Sequence, residues 1–95
     1  MTQQYLAGEL SQLLGRLGAA TTSEAAARAV GLLRHEAETQ PISALTAVTV
    51  QALALTDRLC WESLSLADTS TFARQAEISA ALHEFGVCAG WLEDD

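Results

Sequence analysis

The groups in this chain with chemistry to offer are few: two histidines, His35 and His83, two cysteines, Cys60 and Cys88, and a scatter of serines and carboxylates along 95 residues. His35 and Glu38 could share a metal ion, one helical turn apart. On a helix, though, His35 points opposite the apolar stripe of its own segment, which makes it a solvated surface histidine. His83, Cys88, Cys60 and His35 would make up a two-cysteine, two-histidine zinc set. His83 and Cys88 are five residues apart and diverge by about 140° on a helix. Structural zinc sites draw instead on close pairs such as C-x2-4-C. A bundle-type di-iron site needs Glu-x-x-His motifs, and the chain has none. No metal ligand or cofactor is therefore expected, and Cys60 and Cys88 read as small core residues with reduced thiols.

Nucleophilic catalysis needs a nucleophile, a base and an orienting group. Ser63, Ser65 and Ser70 have no histidine beside them in the sequence. Cys60 and His83 could meet only across two helices. The carboxylates Glu36 and Glu38 fall on the solvated side of a helix, and Glu93, Asp94 and Asp95 lie in the tail. Neither group has the apolar wall that raises a carboxyl pKa. No glycine-rich phosphate loop occurs. No catalytic residue is expected, and the reading turns away from an enzyme.

Composition narrows the function further. Five arginines face twelve acidic residues, a net charge of −7, and there is no lysine. A basic footprint for nucleic-acid phosphates is missing, as is one for an anionic membrane. No apolar run reaches the ~20 residues of a spanning helix. The start Met1-Thr2-Gln3-Gln4 lacks a signal-peptide pattern, so a soluble, cytoplasmic protein is expected. Nearly half the residues are apolar, enough for one packed core over 1–92 with an acidic tail at 93–95.

The elements that position these groups read as four helices. Alanine and leucine, the best helix formers, dominate. Leu6, Leu10, Leu13, Leu14 and Leu17 fall on one face of helix 1, expected over 3–17 with Gly18 ending it. Helix 2, over 22–38, buries Ala26, Ala29, Val30, Leu33 and Ala37, with Thr21 and Glu24 spaced as a capping box. Glu24 and Arg28 form an i,i+4 pair. Pro41 suits the first turn of helix 3, expected over 42–66. Helix 4 starts near Thr71, capped by Asp68, Thr69 or Ser70. It buries Ile78, Leu82, Phe85, Ala89 and Leu92, ending at Gly86 or running to Trp91. Short links make this an all-α, up-down four-helix bundle.

Helix 3 carries more apolar surface than one inward face needs. Leu45, Val48, Ala52, Leu55, Leu59 and Leu66 form one seam, and Ile42, Leu53, Cys60, Leu64 and Ala67 a second. Val50, Ala54 and Trp61 form a third stripe, beside Asp57. A helix apolar nearly all round is normally buried all round. At ~1.5 Å per residue helix 3 would be about 36 Å long, overhanging neighbours of roughly 23–27 Å. A second chain would cover both excesses, most simply in a symmetric dimer. The expected interface residues are Val50, Ala54, Trp61, Leu53 and Leu64. On helix 4, Ala76, Ser79, Gly86 and Gly90 line one side as a run of small residues.

The leading functional expectation is thus a non-enzymatic interaction or regulatory module, dimeric or bound to another protein chain through helix 3. One alternative is a small-ligand-binding or enzymatic bundle whose pocket is lined by Cys60, Trp61, His83 and Trp91. Another is an acidic regulator that covers a basic protein surface. The tripeptide Glu62-Ser63-Leu64 is similar to the Asp-Ser-Leu of acyl carrier proteins, but the serine of that family opens a helix after a loop. Ser63 falls inside or near the end of helix 3, so nothing carries over from those three residues.

Overall fold

A computed structural model of the chain describes residues 3–93. Met1 and Thr2, and Asp94 and Asp95 of the expected acidic tail, lie outside the described residues. The described residues form four helices: α1 Gln3–Ala19, α2 Glu24–Thr39, α3 Ile42–Ser65 and α4 Thr69–Cys88. No helix among the described residues is long and apolar enough to cross a membrane. Consecutive helices pack side by side, and α4 closes back on α1. The core takes Leu10, Leu14 and Leu17 from α1, Val30 and Ala37 from α2, Leu45, Val48 and Ala52 from α3, and Ile78 and Leu82 from α4. This is the helical bundle that the apolar periodicity demands.

The bundle is flattened. α1 and α3 touch across its middle, whereas α2 and α4 do not approach each other among the described residues. The principal extents are 40 × 30 × 16 Å. α3 therefore forms the ridge of one broad face, flanked by α2 and α4, and α1 forms the ridge of the other.

Local chemistry corrects several expected boundaries. Gly18 does not end α1: it keeps a negative φ and the helix runs on to Ala19. Thr21 donates its hydroxyl to the Gly18 carbonyl at 2.8 Å and caps nothing downstream. Ser23 is the N-cap of α2, its Oγ accepting from the Ala26 N–H at 3.3 Å. A serine two residues nearer the helix meets the same need for a partner to a free N–H. Pro41 sits at the N-cap of α3, just before the first turn. Asp68 caps α4, with Thr71 N–H donating to its carboxylate at 3.1 Å.

The two ends that face the α3–α4 side use the same device. Gly90 has φ +81°, and the N–H groups of Gly90 and Trp91 donate to the carbonyls of Val87 and Gly86 at 3.0 and 2.9 Å. This is a Schellman closure, so α4 ends neither at Gly86 nor at Trp91 but at Cys88. The chain then folds back. Leu92 lies so close to Gly86 that an added Cβ there would overlap Leu92 Cδ1 and sit 2.8 Å from its Cγ, with Thr49 Cγ2 at 3.5 Å. A side chain at position 86 would have to displace Leu92.

At the end of α3 the closure runs through Ala67, with φ 57°; Ala67 and Asp68 N–H donate to Leu64 and Ser63 carbonyls at 3.0 and 2.9 Å. Leu66, expected in the core seam, falls in this turn and is 77% exposed. Alanine in the left-handed region costs about 1–2 kcal/mol. Ala67→Gly should therefore raise stability by roughly 1 kcal/mol after the greater freedom of unfolded glycine is subtracted. Urea melts would show a higher midpoint at unchanged slope; a lower midpoint would contradict the strain.

The Asp68 cap makes a second testable point. Its carboxyl is held below the ordinary value, chiefly by the hydrogen bonds from the Thr71 side chain and backbone, with Arg74 adding a smaller pull. A group with a depressed folded pKa stabilises above its unfolded pKa and loses that contribution as pH falls through the folded value. Asp68→Asn keeps a capping oxygen without the charge. The wild type should melt higher than Asp68→Asn above about pH 5. That gap should narrow and close as pH falls through the folded value. A gap independent of pH would sink this account.

Candidate interaction surface

The inward face of α3 sets three buried hydroxyls beside the apolar seam of Leu45, Val48, Ala52, Leu55 and Leu59. Thr49, Thr56 and Ser63, seven residues apart, all point into the bundle and are buried. Each hydroxyl is satisfied locally or by a neighbour. Thr49 Oγ1 donates to Leu45 O at 2.8 Å and Thr56 Oγ1 to Ala52 O at 2.6 Å. Such bonds to the carbonyl one turn back let a threonine present its methyl to a core without a polar penalty. Ser63 Oγ donates to Gln75 Oε1 at 2.7 Å, and Gln75 Nε2 donates to the Ala20 carbonyl at 3.2 Å. Gln75 is 2% exposed and joins the ends of α1 and α3 to α4.

The outward face carries an apolar stripe beside the exposed polar residues Ser43, Gln51, Asp57, Arg58, Glu62 and Ser65. Val50 is 49%, Trp61 65% and Leu64 48% exposed. Ala54 is exposed and Leu53 half-buried. All five residues expected at an interface thus lie on the ridge of one broad face or its α4-side edge. Ile42 and Ala67, placed in the second seam, are exposed as well, while Cys60 is half-buried. The flanks extend the apolar surface. Between α3 and α4 runs an open groove of about 300 Å³ lined by Asp57, Cys60, Trp61, Leu64, Phe72, Ala76 and Ser79. The small residues Ala76 and Ser79 open its α4 wall. On the other flank Leu32 of α2 is 64% exposed beside Gln51 and Leu55. Asp57, Arg58 and Glu62 are the exposed charged residues of α3, and α1 presents Glu9, Gln12 and Arg16 to solvent.

The α1–α2 side is organised by polar contacts. Arg34 Nε donates to Ser11 Oγ at 3.0 Å, and Ser11 Oγ donates to Glu38 Oε1 at 2.8 Å. Arg34 also pairs with Glu38 at 3.4 Å. Glu38, expected on the solvated side, therefore helps join α2 to α1. Glu24 and Arg28 do pair, at 3.5 Å, but so exposed that the pair adds little stability.

The groups considered for catalysis or metal binding are not brought together. His35 and His83 are both exposed. No group of three or more His, Cys, Asp or Glu among the described residues could hold a metal ion. Cys60 and Trp61 line the α3–α4 groove, but His83 and Trp91 do not. Trp91 packs edge-on against Phe85, ring centroids 5.6 Å apart. Burial, with a smaller push from Asp57, raises the Cys60 thiol pKa, the opposite of what an activated thiolate needs. Cys88, expected in the core, is exposed at the end of α4. Ser63 is fixed in its bond to Gln75 and does not open a helix.

What fold and surface define together is a flattened four-helix bundle whose α3 side carries an exposed apolar stripe. The chain matches no family model, no curated protein and no solved structure.

Proposed function

We propose that this protein is a non-enzymatic interaction module that works by holding another protein chain against the broad face centred on α3. The observation that carries this is the exposed stripe of Val50, Trp61 and Leu64 on α3, on the side away from the core seam of Leu45, Val48, Ala52, Leu55 and Leu59. The hydrophobic effect makes that arrangement unfavourable for an isolated bundle, at about 25 cal/mol for each Å² of apolar surface left in water. Contiguous apolar patches of several hundred Å² on a small protein mark contact sites. Tryptophan, exposed within such a patch, is among the residue types most enriched at binding hot spots. The dimeric form belongs to this reading, as does a location where thiols stay reduced.

The module reading is tested by placing a photo-crosslinking amino acid at Leu64 and, as control, at Gln12 on the α1 ridge, in the cell of origin. Adducts with a protein chain should form from Leu64 alone. Excess wild-type protein should compete them away, and Trp61→Glu protein should not. Equal labelling from both faces, or none from Leu64, would remove the proposal.

A further inference from the structure

The groove between α3 and α4 has a lining that the interaction reading does not use. Its α3 wall places Asp57 and Trp61 one helical turn apart, with the half-buried Cys60 beside them. Its α4 wall sets the half-buried Phe72 next to the small residues Ala76 and Ser79. Among the described residues no arginine or histidine lines it. Other grooves of the bundle differ. One between α1 and α4 mixes Glu9 and Glu84 with Arg16, and the one beside Leu32 holds Glu36 and no aromatic ring. Further along the α3–α4 pair, Leu92 fills the space over Gly86, against Thr49. Over Ala76 and Ser79 the space stays open, at about 300 Å³, the lower end of the range for small-molecule sites.

We propose that this groove binds a small organic cation, an arylalkyl ammonium of about the size of phenethylamine. Three features of the lining select that class. The carboxylate of Asp57 forms no ion pair or hydrogen bond among the described residues, so it is free to face an ammonium. Trp61 and Phe72 supply aromatic rings whose electron-rich faces attract a cation, tryptophan most strongly. Leu64, Ala76 and the Cys60 sulfur supply an apolar bed for an aryl group. A bare metal ion does not fit, because one carboxylate and one hydroxyl fall short of the six or more oxygen ligands that a hard cation takes.

The sign of the charge agrees with this occupant. After burial, the charge of Asp57 is the second influence that raises the Cys60 thiol pKa, so its field reaches the sulfur in the groove and disfavours an anion there. The net charge of −7 adds a long-range attraction for cations. Each contact is weak by itself at an open site. Together, the cation–π and carboxylate contacts should favour the ammonium over a neutral molecule of the same shape by about tenfold. For a ligand of this size a dissociation constant of about 1 mM is expected. The site needs only the α3–α4 pair of one subunit and does not depend on the interaction reading.

The test uses the full chain carrying Cys88→Ser, which leaves Cys60 as its one thiol. At matched ionic strength, phenethylammonium chloride should slow alkylation of Cys60 by iodoacetamide, saturating near about 1 mM. The neutral 2-phenylethanol should protect about tenfold more weakly, and phenylacetate should not protect. Asp57→Asn should remove most of the advantage of the amine. Trp61→Leu, which keeps an apolar wall without the ring, should weaken the amine severalfold and the alcohol little. Both residues are exposed, so thermal melts of the two variants should match the parent. Equal protection by amine and alcohol, or an advantage that survives Asp57→Asn, would overturn the choice of a cation. No saturable protection by either molecule would overturn the site. Crosslinking from Leu64 decides the interaction reading separately, whichever way this test falls.

Discussion

Gln75→Ala should be among the most destabilising single substitutions in this protein, lowering stability by about 3 kcal/mol. The side chain is buried and makes two hydrogen bonds, one from Ser63 Oγ and one to the Ala20 carbonyl. Truncation leaves the Ala20 carbonyl without its side-chain donor, and an unsatisfied buried group costs about 1–3 kcal/mol. It also leaves a cavity at the junction of three helices, with a cost that rises with the volume left empty. For a domain of this size each kcal/mol is worth roughly 4–8 °C in Tm, so a fall of about 12–24 °C is expected. Two further variants separate the contributions. Gln75→Leu keeps the volume and loses the hydrogen bonds, so it should recover part of the stability. Ser63→Ala combined with Gln75→Leu removes both members of that pair and should cost less than the sum of the single changes. Strict additivity in thermal melts would show that the Ser63–Gln75 bond couples nothing.

That Gln75 matters this much is not legible in the sequence, and the reason is general to this fold. Hydrophobic periodicity identifies faces by apolar residues. It finds Leu10, Leu14 and Leu17 on α1, Val30 and Ala37 on α2, Leu45, Val48, Ala52, Leu55 and Leu59 on α3, and Ile78, Leu82 and Phe85 on α4, all buried. It does not see a polar residue whose partners come from elsewhere in the chain. Ala20 is 55 residues from Gln75, and only the fold brings the two together. The hydroxyls of α3 escape for a related reason. A threonine bonded to its own i−4 carbonyl behaves as a core residue, yet nothing in its type says so. The surface stripe is readable because Val50, Ala54 and Trp61 sit outside any arc that two inner seams can bury. Its flanks, Leu32 and the wall of the α3–α4 groove, depend on helix neighbours and not on helix phase. A pocket shared by Cys60, Trp61, His83 and Trp91 fails on the same ground. The Gly90 turn sends Trp91 to Phe85, and phase alone places no residue beyond a helix end.

The flattening of the bundle connects these observations. In a square arrangement each helix shows solvent a comparable outer arc. Here α1 and α3 approach across the short diagonal, which small inward residues permit: Ala52, Thr49 and Thr56 on α3 are fully buried. These short inward side chains let the α3 backbone approach the middle between the buried Leu45, Val48, Leu55 and Leu59. Replacing Val50 or Trp61 should leave the packing of the four helices intact.

Trp61→Ala, accordingly, should leave folding stability within about 0.5 kcal/mol of wild type, the usual range for a surface change. It should weaken association through the α3 face by about thirtyfold or more, the factor that corresponds to a hot-spot loss of at least about 2 kcal/mol. The side chain is 65% exposed in the single subunit, so its removal opens no cavity there. The chain reports on this directly. Tryptophan occurs at 61 and 91, and Trp91 packs on Phe85. In a Trp91→Phe background the emission of Trp61 should move to shorter wavelength as protein concentration rises and the ring leaves water. Leu59→Ala is the counterpart. Leu59 is 4% exposed, so its truncation should cost about 2–5 kcal/mol of stability while leaving the seam residues in place. A Trp61→Ala protein that melts far lower than wild type would place the ring in the fold. An unshifted emission across the concentration range would place it in water at every concentration. Only loss of association at constant stability assigns Trp61 to a contact between chains.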